Sequence, residues 1–170
     1  GLSASGPRNA IKKPRRLKIP IIVSILVAVF LLGSVIGIFV YADNQRKQLY
    51  SDFYLELITM RYDVKDAADK VEAARGWDDD DAASRALSGM QERYNYFVRF
   101  QVANQKLFDE DMEEHVDQLT DSMQEVMSSL AQLNRSITKN NVEKALTEID
   151  DLINEVNYIM PYYYQYYAGG

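Results

Sequence analysis

The sequence of 170 residues contains no cysteine. That excludes disulfides, thiol catalysis, iron–sulfur ligation and cysteine zinc sites together. Only eight glycines and four prolines occur, and the stretches between them carry helical period, so an all-α protein is expected. The single histidine, His115, gives too few ligands for a zinc hydrolase. A di-iron bundle needs Glu-x-x-His twice, yet Met112 stands where the first Glu would be and no second His exists. No nucleophile has a base beside it, and no glycine-rich loop offers a phosphate cradle. The reading is therefore a non-enzyme, with no catalytic residues, no cofactor and no metal site. His115 is expected to be solvated beside the apolar stripe that includes Val116.

Acid is missing from the first 40 residues, which hold Arg8, Lys12, Lys13, Arg15, Arg16 and Lys18. All 25 acidic residues follow, and they outnumber the 13 basic residues there by 12 although the whole chain carries only −6. So acidic a region repels nucleic acid, which binds a basic face that releases counterions. The run Asp78–Asp81 lacks a calcium-loop pattern. Counting from Asp78, the fifth and sixth positions are Ala82 and Ala83 and the twelfth is Gly89, where an EF-hand needs spaced acids, a central glycine and a closing Glu. A solvated loop and helix start accounts for it. Asn134-Arg135-Ser136 forms a sequon, meaningful only in a secretory setting and poorly placed on a helix.

Charge is also absent from Ile19 to Val40. These residues would span roughly 33 Å as a helix, enough to cross a bilayer core. The organisation expected is a basic cytoplasmic tail (1–18), a single transmembrane helix (19–41), an acidic extracytoplasmic bundle (42–160) and a tyrosine-rich tail (161–170). The basic cluster before the run places the N-terminus in the cytoplasm and the acidic domain outside a cell membrane. Val40 and Ala42 resemble a cleavage site, but the run is long for a cleaved signal, so a single-pass signal-anchor is favoured. Gly33 and Gly37 form a GxxxG pair through which two such helices could pack as a homodimer.

The acidic region divides into four amphipathic segments. Leu49, Phe53, Leu57, Met60, Val64, Ala67, Val71 and Ala74 form the first stripe, with Gly76 as a C-cap. The second runs through Ala83, Leu87, Met90, Tyr94, Phe97, then Phe100 or Gln101, Asn104 and Leu107. Its stretch Asn95–Val102 is apolar almost all round, as if facing two neighbours. Asp109 is placed as the N-cap of the third, whose stripe is Met112, Val116, Leu119, Met123, Val126, Leu130, Leu133 and Ile137. Asn140 with Glu143 suggests a capping box for the fourth: Val142, Leu146, Ile149, Ile153, Val156 and Met160, stopped by Pro161. Short connections and 3–4 spacing predict an antiparallel, up-down-up-down four-helix bundle. A dimeric coiled coil through the long first helix is the rival.

This layout resembles the extracytoplasmic four-helix domain of bacterial chemoreceptors over roughly residues 19 to 160, in architecture and without a shared motif. That family also has a second membrane helix and an internal signalling domain, which these residues lack. No ligand residue is carried over from it.

Two surfaces are candidate interfaces. Trp77, the only tryptophan, either plugs the bundle end or anchors a partner. Tyr162, Tyr163, Tyr164, Tyr166 and Tyr167 lie within six residues after Pro161. They are expected on an extended tail that covers for a short fourth helix and returns toward the bilayer, where tyrosine favours the interface. The functional expectation is a membrane-anchored interaction or scaffold subunit of a membrane or envelope complex, with the lipid bilayer and a protein partner or second copy as its contacts. The alternative is an extracytoplasmic domain that senses a ligand, or binds a small molecule or lipid, and signals through a partner.

Overall fold

A computed structural model describes residues 18–76, 79 and 81–169. Trp77 and the basic residues before Lys18 lie outside the described residues, as do Asp78 and Asp80. The described residues form four α-helices: α1 (Lys18–Arg75), α2 (Ala82–Asn104), α3 (Glu110–Arg135) and α4 (Lys139–Ala168). A 3₁₀ turn at Gln105–Leu107 lies between α2 and α3. The chain divides into two compact units, residues 1–45 and 46–170.

The described part of the first unit is helical and apolar. Its large side chains are uncovered, from Val35 at 48% exposed to Phe30 at 73%. The Ser24 and Ser34 hydroxyls donate back to the Pro20 and Phe30 carbonyls, at 2.7 and 2.8 Å. Their polar atoms are thus satisfied within the helix, as apolar surroundings require. Cβ atoms at Gly33 and Gly37 would meet nothing within 4 Å.

In the second unit the four helices pack antiparallel around one core. All eight stripe residues of α1 are buried, joined by Tyr50 and Tyr54. On α3 the stripe from Met112 to Leu133 is buried, with Ile137 half-buried just past the helix. Asp109 caps α3 as expected, its carboxylate accepting the Met112 N–H at 2.8 Å, while acids fill a first turn that favours them.

Three local expectations fail for identifiable reasons. α2 ends at Asn104, and the 3₁₀ turn takes Leu107 out of the helical period, so Leu107 is exposed and Phe108 packs on the core instead. Tyr96 and Val102 are exposed, yet α2 faces two neighbours as expected: Phe97 and Phe100 stack on Phe53 of α1, and Gln124 of α3 donates to the Tyr94 hydroxyl. The cap of α4 is Thr138, not Asn140: its hydroxyl accepts the Asn141 N–H at 3.1 Å. The α4 stripe is also centred elsewhere. Ala145, Leu152 and Ile159 are buried with Val142, Ile149 and Val156, whereas Leu146 and Ile153 are half-buried.

The largest correction concerns Pro161. It does not stop α4, which continues to Ala168 and at 30 residues is longer than α2 or α3. An interior proline costs about 3 kcal/mol. Burying the ring of Tyr163 returns roughly 1.5–3 kcal/mol, and its aromatic contacts add about 0.5–1.5 kcal/mol each. Tertiary packing therefore outweighs the local helix-breaking preference.

Candidate functional site

The five clustered tyrosines sit on the last two turns of α4, and helical geometry sends them in different directions. Tyr163 points inward and is 4% exposed. Its ring meets Phe53 edge-on, with centroids 4.7 Å apart, and lies 5.5 Å from Tyr50. Tyr166, half-buried, packs on Tyr50 at 4.7 Å. Tyr164 and Tyr167 flank Tyr54 at 5.7 and 5.0 Å and remain about half exposed. Tyr162 lies over His115 at 5.0 Å and reaches Tyr158. Phe97 and Phe100 of α2 stack on Phe53 and extend the cluster to Phe108. This end of the bundle is therefore an aromatic core with an aromatic rim: Tyr163 belongs to the core, and Tyr162, Tyr164 and Tyr167 to the rim.

Two polar contacts run through it. The Tyr50 hydroxyl donates to the Asp109 carboxylate, the group that also caps α3. Nδ1 of His115 lies 2.7 Å from the Tyr163 hydroxyl. His115 is thus buried rather than solvated, at 9% exposed. Its position was legible: it stands three residues after Met112 and four before Leu119, on the same helical face. Burial pushes the imidazole below its ordinary value, although Asp111, Glu114 and Asp109 pull the other way. Burial also raises the Tyr163 hydroxyl, and it raises Tyr50 with help from the bond to Asp109. All three shifts favour the neutral form of the ring.

A second polar constellation joins α1 and α2. Arg93 Nε donates to Asp63 at 2.6 Å and Nη1 lies 3.5 Å from Glu56, with the guanidinium 5.5 Å from the Tyr96 ring. Burial raises the Glu56 carboxyl, and Arg93 opposes that. Beside it lies a groove of about 310 Å³, walled by Asp63, Asp66, Lys70, Glu92 and Arg93 and floored by Ala67, Ala86 and Gly89. Lys70 is paired with Asp66 at 2.7 Å. The groove presents charge of both signs, suited to a small zwitterion more than to an apolar ligand.

Among the described residues no group of three or more His, Asp or Glu side chains could hold a metal ion. No buried side-chain nitrogen or oxygen lacks a hydrogen bond among them either. Gly33 and Gly37 lie in the first unit, away from any described neighbour. Comparison with protein-family models, curated proteins and solved structures returns no match for this chain.

Proposed function

We propose that this chain is a membrane-anchored interaction or scaffold subunit of a membrane or envelope complex. The apolar segment 19–41 is its single-pass anchor, residues 1–18 lie in the cytoplasm, and the bundle stands outside. One contrast carries the reading. The bundle core is closed, with side chains such as Phe53, Leu57, Met123 and Leu152 fully buried, whereas the apolar segment has no protein cover at all. Such a surface calls for lipid or a partner helix. Outside the membrane, the rim tyrosines Tyr162, Tyr164 and Tyr167 supply the amphipathic aromatic area that protein interfaces favour. Trp77 and the Gly33–Gly37 face are further contact candidates.

The test combines topology and assembly. Single cysteines at positions 5 and 120, introduced into a chain that has none, should react with an impermeant maleimide from opposite sides of the membrane, position 120 from outside. Mild detergent extraction should then recover the protein in a stoichiometric complex or as a dimer. Recovery as a lone monomer would sink the scaffold role, and reaction of both positions from one side would sink the anchor.

The mixed-charge groove beside Arg93 favours a second reading, a sensor for a small zwitterion. Saturable binding abolished by Arg93→Ala, with the fold retained, would select it.

A further inference from the structure

The end of α4 combines two features that oppose each other. Pro161 lacks an N–H, so the Asn157 carbonyl loses the donor that would continue the helix ladder, and the helix is weakened at that point. Beyond it the helix resumes to Ala168, and this segment packs on the bundle through buried Tyr163 and half-buried Tyr166. Tyr163 fills the space between Phe53, Tyr50 and His115, and its hydroxyl lies 2.7 Å from His115 Nδ1.

We propose that these two turns of α4 are an acid-released clasp, hinged at Pro161 and latched by the hydrogen bond between Tyr163 and His115. A phenol is the better donor and a neutral imidazole nitrogen the better acceptor, so Tyr163 donates to Nδ1 while the ring proton sits on Nε2. A proton added to Nδ1 turns that acceptor into a donor. The pair can then bond only in reverse, with the phenol oxygen accepting from Nδ1–H, and that leaves the Tyr163 O–H proton without its acceptor beside the rings of Tyr50 and Phe53. An imidazolium at this depth is also poorly solvated.

The surroundings come from every helix of the bundle. α1 brings Tyr50 and Phe53, with the charge of Arg46 acting on Tyr50. α2 brings Phe97 and Phe100, which stack on Phe53 behind the latch and carry no charge. α3 brings Asp109, Asp111 and Glu114, which favour the imidazolium, and α4 brings Tyr162 and Tyr163. Burial outweighs the carboxylates, so uptake of the proton works against the closed form. Histidine is the side chain whose charge changes in mildly acidic conditions. Opening swings Tyr163 out and uncovers Phe53 and Tyr50, a new aromatic surface on the bundle.

Hydrogen–deuterium exchange of the full chain in lipid nanodiscs tests this, at pH 7.5 and 5.0 with correction for intrinsic exchange. Peptides spanning 162–168 should exchange about fivefold faster or more at pH 5.0, while peptides from the middle of α3 hold steady. Glu56 and Glu155, both raised by burial, also respond to acid, so His115→Gln is the control that retains them. The variant should lose the acid response at 162–168; an unchanged response would overturn the clasp. A second measurement needs no variant. The His115 ring nitrogens, followed by NMR in the native chain, should titrate in step with the loosening. Loosening while His115 stays neutral, or an imidazolium with 162–168 still protected, would each refute the latch.

Discussion

The ring of Tyr163 meets that of Phe53 edge-on, with centroids 4.7 Å apart and planes at 86°. The contact joins the last turns of α4 to the beginning of the bundle part of α1, and it explains why a helix survives a proline. Truncating Tyr163 to Ala removes this contact, the packing on Tyr50 and the bond to His115 together. A loss of about 3–5 kcal/mol is expected, read as a lower midpoint in denaturant. Residues 161–168 should lose helicity first. A loss below about 1 kcal/mol would mean that the end of α4 is held by something else.

Pro161→Ala acts in the opposite direction. Pro161 is exposed, so alanine there restores the N–H to the Asn157 carbonyl without disturbing packed atoms. Stability should rise by about 1–3 kcal/mol, and amide protection beyond position 161 should rise with it. Destabilisation would show that the proline ring itself is needed, for instance to set the approach of Tyr164 to Tyr54.

Arg93 bridges Asp63 and Glu56 from a largely buried position. Arg93→Ala leaves two carboxylates facing each other without their cation, at an expected cost of about 3 kcal/mol. Because Arg93 opposes the rise caused by burial, the Glu56 carboxyl should move further up. Carboxyl titration by NMR checks this, and an unmoved Glu56 would refute the coupling.

Most of the bundle was readable because its stripes are single-valued. The α1 stripe from Leu49 to Ala74 has one apolar residue per turn and one face to bury. α4 was read off centre for a physical reason: Ala145, Leu152 and Ile159 compete with Leu146 and Ile153 for nearly the same face. Periodicity cannot rank two overlapping stripes; the neighbouring helices do. Pro161 was misread because a local rule was applied where tertiary packing decides. His115 was misread because its acidic neighbours in sequence suggested solvent, although its spacing from Met112 and Leu119 already placed it inward. The pairing of Tyr50 with Asp109 joins residues far apart in the chain, so nothing local announced it.

Glu155 provides a pH test with a definite sign. Its carboxylate accepts from Ser122 yet is partly buried near Asp121 and Glu125, and burial raises it in the folded state. A carboxyl raised on folding favours the fold at low pH, and that benefit is lost as pH rises through its folded value. Glu155→Gln keeps the shape and removes the charge. The variant should be the more stable protein at pH 7, with the difference closing toward pH 4. Equal stability at pH 7 would mean that the Ser122 bond offsets the burial in full.

The rim tyrosines separate the functional proposal from the stability argument. Tyr164 and Tyr167 pack on Tyr54 but keep about half of their surface exposed. Tyr54 is buried on the α1 face and keeps its backbone position without them. The double variant Tyr164→Ala, Tyr167→Ala should therefore cost about 1–3 kcal/mol, the sum of two exposed rim aromatic contacts, below the cost of Tyr163→Ala. Aromatic anchors at an interface cost 2 kcal/mol or more on truncation, so a complex that uses this rim would weaken by roughly thirtyfold or more. The measurement is recovery of the stoichiometric complex after mild extraction, set against the denaturation midpoint of the same variant. A complex that survives the double change removes the rim from the interface and leaves the apolar segment and Trp77 as the surfaces to test.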